Sequence, residues 1–80
     1  MGVRVHDFDS SAIARAAYDE GDATLDIWYK GGDRYRYFQV PAEAFEALLG
    51  APSAGEHVNR HIKDAYRFEI EERRKRFRPD

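Results

Sequence analysis

The chain has no cysteine, one tryptophan, one methionine and three prolines in 80 residues. Without cysteine it can form no disulfide, no thiolate zinc site and no cysteine nucleophile, and nothing points to an oxidising compartment. Long apolar runs are missing too. No stretch approaches the roughly 20 apolar residues of a membrane span, and Met1-Gly2-Val3-Arg4-Val5-His6-Asp7 has no apolar core of signal-peptide length. A soluble cytoplasmic protein with no membrane contact is the expectation. Eighty residues suffice for one small domain with a limited core.

Catalytic patterns are equally scarce. No Ser-His-Asp order, glycine-rich phosphate loop or pair of buried carboxylates can be assembled at workable spacing, so no enzymatic activity is expected. Ser11 and Ser53 read as turn and cap residues. His57 and His61 are four apart, which lets two imidazoles share one helix face. Two ligands without a third are not a metal site, and no cofactor is expected.

Charge of one sign is also short in each half of the chain. The net charge is -2, but residues 1–59 sum to -5 and residues 60–80 to +3. Much of the positive end is the run Arg73-Arg74-Lys75-Arg76-Phe77-Arg78, which reads as a solvated tail before it reads as a nucleic-acid arm.

What the sequence does have is alternation. In Asp26-Ile27-Trp28-Tyr29-Lys30-Gly31-Gly32-Asp33-Arg34-Tyr35-Arg36-Tyr37-Phe38, rings and cations alternate around a Gly-Gly turn. Successive side chains of a strand point to opposite faces, so this segment can build one apolar face and one face of rings and positive charge. Asp19-Glu20-Gly21-Asp22 supplies an earlier turn joining Ala12–Tyr18 to Ala23–Lys30. A two-residue loop there pairs Tyr18 with Ala23 and Ala16 with Leu25. For the second turn a Gly31-Gly32-Asp33 loop is preferred, which sets Tyr29 opposite Tyr35, Ile27 opposite Tyr37 and Trp28 opposite Arg36.

The expected inner face is then Ala14, Ala16, Tyr18, Ala23, Leu25, Ile27, Tyr29, Tyr35 and Tyr37, with Ile13 outside. Val40-Pro41 begins a helix that Gly50 ends, with Phe45, Leu48 and Leu49 at helical spacing. Ser53-Ala54-Gly55-Glu56 fits a capping box for a second helix, whose stripe is Val58 and Ile62. After Asp64, Tyr66, Phe68 and Ile70 alternate as in a strand, while Glu69 to Arg76 suit a charged helix equally well; the residues leave both open. The expected architecture is α+β: a three-stranded antiparallel meander with one face covered by two short helices. Residues 1–11 form an irregular leader, 12–70 the domain, and 71–80 a charged tail.

This order of residues resembles the KTSC domain, a family named for its occurrence at the C-terminus of some lysyl-tRNA synthetases and found also as small stand-alone bacterial proteins. The resemblance is carried by Ser10-Ser11, Tyr18-Asp19, Leu25 with Ile27, Gly31-Gly32, Tyr35-Arg36-Tyr37-Phe38, Val40-Pro41, Leu48-Leu49, Ser53-Ala54-Gly55, Asn59, His61-Ile62 and Tyr66. It implies a link to RNA through the attached tRNA enzyme. The chain departs from that setting in lacking a synthetase portion and in adding the basic run after Glu71.

The residues also carry functional expectations without the resemblance. Single-stranded nucleic acid binds where aromatic faces stack on bases and cations follow the phosphates. Trp28 and Phe38 are the candidate platforms, and Arg15, Lys30, Arg34 and Arg36 the candidate phosphate contacts. An Arg15–Asp26 pair across the strands would neutralise part of that surface, and the acidic net charge argues against tight non-specific binding. The other expectation is an interaction module, in which a protein partner or a second copy covers Trp28, Phe38 and Ile13 on the outer face.

Overall fold

The computed structural model describes residues 2–71. Five antiparallel strands form one sheet in sequence order: β1 Val3–Asp7, β2 Ile13–Asp19, β3 Thr24–Tyr29, β4 Arg34–Tyr37 and β5 Phe68–Glu71. Between β4 and β5 lie α1 Ala42–Gly50 and α2 Ala54–His57, and α2 runs on into a π-helical turn at Val58–Ile62. The α+β architecture with two short helices on an antiparallel sheet holds, but the sheet has five strands rather than three. β1 lies within the supposed irregular leader, and β5 takes the strand alternative for Phe68 and Ile70. Of the charged run from residue 71, only Glu71 is described, as the last residue of β5; 72–80 lie outside the described residues.

Both hairpins are offset by two residues from the expected register. Tyr18 pairs with Leu25 and Ala16 with Ile27, because the first loop is the longer Glu20-Gly21-Asp22-Ala23. The Asp19 carboxylate holds it by accepting from the N–H groups of Gly21 (2.9 Å) and Asp22 (3.3 Å), and Ala23 closes it at φ 57°. In the second hairpin Ile27 pairs with Tyr35 and Leu25 with Tyr37. Its loop is Lys30-Gly31-Gly32, with the Tyr29 N–H donating to the Asp33 carbonyl at 3.0 Å and Gly32 at φ 109°, a conformation that favours glycine. An offset of two preserves the faces of a strand where an offset of one would exchange them.

The core therefore holds nearly the expected set. Ala16, Leu25, Ile27 and Tyr37 are fully buried, joined by Phe45, Leu48, Val58 and Ile62 from the helices. Ile13 is the exception: it is fully buried, not outside, because the β2 ladder shifts register between Ile13 and Arg15. That bulge at Ala14 turns Ile13 inward and moves Ala14 away from the interior.

Helix α1 begins after Pro41, whose extended backbone (ψ 156°) makes it the residue before the first turn. Ser53 Oγ accepts from the Glu56 N–H at 3.4 Å and caps α2. Gly55 permits a close approach: a Cβ there would stand 3.0 Å from Ala12 Cβ, so a side chain would force the second helix off the loop before β2. Val40 locks the layers together. Its N–H donates to Ala23 O (2.8 Å) and its carbonyl accepts from the Tyr18 hydroxyl (2.6 Å). Burial, with Glu20 and Asp19 nearby, raises the Tyr18 pKa.

Candidate interaction surfaces

Strand register sets the outer face in two rows. One crosses the five strands as Asp7, Arg15, Trp28, Arg34 and Glu71, the other as Val5, Ala17, Asp26, Arg36 and Glu69. The sequence-predicted group of Arg15, Trp28, Arg34 and Arg36 is thus on this face, as the alternation requires. Trp28 lies opposite Arg34 rather than Arg36, with the guanidinium carbon 5.8 Å from its ring centroid. Lys30 sits in the β3–β4 turn and borders a shallow depression with Ala14, Trp28 and Arg34. Phe38, just past β4 and half-buried, borders another with Val3, Ala17 and Thr24.

The arginines on this face are bound to carboxylates. Arg36 makes a two-pronged contact with Asp26, Nε to Oδ1 at 2.8 Å and Nη2 to Oδ2 at 3.0 Å, which raises the arginine's pKa further. Arg34 reaches the same carboxylate at 3.8 Å and pairs with Glu71. Its Nε is buried with no acceptor among the described residues. Arg15 is held by Asp7 at 2.7 Å, not by Asp26, because the two-residue offset carries Asp26 away from it. Asp26 is the shielded member, its side chain 13% exposed against 43% for Arg36.

The opposite side of the molecule carries a groove of about 540 Å³ between the sheet and the second helix. Tyr29 and Tyr35, ring centroids 4.8 Å apart and edge to face, form one wall; Gly55, Glu56, Asn59 and Lys63 form the other. Sequence reading gives Tyr35 an interior role and Asn59 none. The signal lies in the helical spacing of Asn59 and Lys63, four apart on the side of the turn that faces the tyrosines. Burial and the Tyr37 hydroxyl 3.2 Å away act on Tyr29, burial prevailing to raise its pKa; Tyr37 is raised further by its own burial. The His57 and His61 rings lie 4.8 Å apart, tilted by 42°, and burial followed by the second imidazole lowers the His57 pKa. Among the described residues, no three His, Cys, Asp or Glu side chains gather around a common point.

Large apolar side chains emerge at the two outermost strands, Val3 and Val5 on β1 and Phe68 and Ile70 on β5. No helix among the described residues is long and apolar enough to cross a membrane.

Comparison with known proteins identifies a matching family. The model of the KTSC domain matches residues 9–66. A protein of Tsukamurella paurometabola is 42% identical over 59 residues, covering 74% of this chain and 88% of that one. A lysine–tRNA ligase of Nostoc punctiforme is 39% identical over 61 residues, 76% of this chain but 11% of the ligase. Among solved structures, the crystal structure of a KTSC domain protein from Yersinia pestis superposes with a TM-score of 0.78 at 26% identity, covering 85% of this chain and 96% of that one.

Proposed function

The chain belongs to the KTSC domain family, and from that premise we propose that it is an interaction module without chemistry of its own, docking a protein partner on the outer face of its sheet. The observation that carries this reading is the Asp26 carboxylate shared by Arg34 and Arg36. Phosphate binding needs cations free to replace the counterions of a nucleic-acid backbone. Here the central guanidiniums already lean on carboxylates. Asp7, Asp19, Asp26, Glu69 and Glu71 moreover outnumber Arg15, Lys30, Arg34 and Arg36 on this side of the sheet. Tryptophan and arginine are, however, among the residue types that anchor protein interfaces, where satisfied ion pairs lose less on desolvation than bare charges. Trp28 and Phe38 are half-buried and supply the apolar contact.

A second reading, RNA binding by the same face, is favoured by the lysine–tRNA ligase relative and by the Arg34–Trp28 stack. Fluorescence anisotropy with a labelled single-stranded RNA, titrated from about 50 to 200 mM salt, separates the two. The expected result is no binding at the low-salt end, together with nuclease-resistant capture of protein that Trp28→Ala abolishes. Salt-sensitive RNA binding lost in both Trp28→Ala and Arg36→Ala, and kept in Glu46→Ala, would replace the protein reading with the RNA reading.

A further inference from the structure

Strand β5 is an edge with a pattern. It pairs with β4 on one side and, among the described residues, with no strand on the other. Phe68 and Ile70 point to the helical side, where Phe68 stacks on Tyr35 (centroids 5.5 Å) and touches Tyr37 (5.6 Å). They remain 40% and 41% exposed. Glu69 and Glu71 point to the other side, opposite Arg36 and Arg34. The β4–β5 pair thus shows what complements this strand: Arg34-Tyr35-Arg36-Tyr37 sets cations against carboxylates on one face and rings against apolar groups on the other.

We propose that the open edge of β5 accepts an extended segment of a partner protein in which basic and apolar residues alternate, adding a sixth strand to the sheet. Main-chain hydrogen bonds to an edge give such complexes their affinity, and the alternate side chains give specificity. A second copy with its helices on the same side is a poor occupant. Antiparallel pairing of β5 with itself that keeps the sheet faces aligned and engages three of its four residues sets Glu69 opposite Glu69 or opposite Glu71, like charges facing each other. Parallel pairing with β1 of another copy, which keeps the helices on one side, fares no better, since Val3 and Val5 would meet Glu69 and Glu71 while Arg4 and His6 would meet Phe68 and Ile70. Antiparallel pairing turns the second sheet over, matches Arg4 and His6 to the carboxylates, and is the self-association that light scattering detects. A basic-apolar strand leaves no such conflict. This site is the rim of the sheet and not its outer face, so it stands or falls apart from the docking of Trp28.

The test uses the full chain and an end-blocked, fluorescent eight-residue peptide of alternating Arg and Tyr, the pattern of β4. Controls are a peptide of the same composition with the alternation broken, as Arg-Arg-Tyr-Tyr repeats, and one alternating Glu and Tyr. The alternating Arg-Tyr peptide is expected to bind at least about ten-fold more tightly than either control, and Glu69→Lys to remove most of that advantage. Glu43→Lys, an equal charge change on exposed α1, is expected to leave affinity within about two-fold. Amide hydrogen exchange over 68–71 should slow when the peptide is present, with circular dichroism confirming that both variants are folded. Equal binding of the three peptides, unchanged exchange in β5, or loss of binding in Trp28→Ala but not in Glu69→Lys overturns the proposal. A dimer by light scattering that protects β5 without peptide overturns it in favour of self-association.

Discussion

The inner face of the sheet is held by exclusion of water and the outer face by pairing of charge, although the same strands build both. Inside, Leu25, Ile27 and Tyr37 are sealed beneath Phe45 and Leu48, and three phenols have partners: Tyr18 donates to Val40 O, and Tyr29 and Tyr37 bond each other. Outside, the middle of the sheet is a carboxylate between two guanidiniums, and the large apolar groups are Trp28, Phe38 and the valines of the first strand. A buried aliphatic group contributes in proportion to the area it removes from water, whereas an exposed ion pair contributes little after desolvation and side-chain entropy are counted. Stability therefore resides on one face, leaving the other free to be shaped by recognition.

Substitutions can break or sharpen that contrast. The largest expected effect is on the dry side: Leu25→Ala, at a fully buried site opposite Tyr37, should lower the unfolding free energy by about 2–5 kcal/mol. Urea denaturation measures it, and a loss under about 1 kcal/mol would mean that the core is far looser than its burial implies. Asp26→Ala comes next, because it takes from Arg36 its two-pronged partner and from Arg34 the more distant of its two carboxylates. With those guanidiniums still 30% and 43% exposed, about 1–2 kcal/mol is expected, between the values for exposed and buried pairs. A neutral result would make the shared carboxylate energetically idle and weaken the argument against the RNA reading. The smallest effect belongs to Arg15→Ala, which removes a pair whose members are 54% and 72% exposed. Thermal melting should show a change within about 0.5 kcal/mol; a larger one would show that the outer face also holds the fold together.

Which residues face inward is legible in the alternation of Leu25, Ile27, Tyr35 and Tyr37, and in the spacing of Phe45, Leu48, Val58 and Ile62. Which residues face each other is not. Register depends on loop length, and loop length here depends on one carboxylate, Asp19, folding back on two amides, and on Ala23 adopting a left-handed backbone. Neither feature has a spacing signature strong enough to outweigh the Gly21 turn. From that one uncertainty follow the corrected partners of Arg15 and Asp26 across β2 and β3; Trp28 faces Arg34 because the second three-residue loop begins one residue earlier, at Lys30. Ile13 is misread for a different reason: a bulge changes parity within a strand, and Ala-Ile-Ala-Arg carries no glycine to announce it. The edge strands are hard to see because they are short and their exposed sides mix charge with apolar groups. Val3-Arg4-Val5-His6 does alternate, but over too few residues to stand out from a leader. The outer-face group is readable as a set, whereas its neutralisation is readable only after the register is known.

Val40 ties the β2–β3 turn, the floor of the sheet and the entrance to α1 through one amide, one carbonyl and one buried side chain. With those three parts pinned at a single residue, the entrance to α1 is anchored to the sheet from the first turn. A partner on the outer face should therefore meet a preformed sheet, and association there should leave amide exchange around Val40 unchanged.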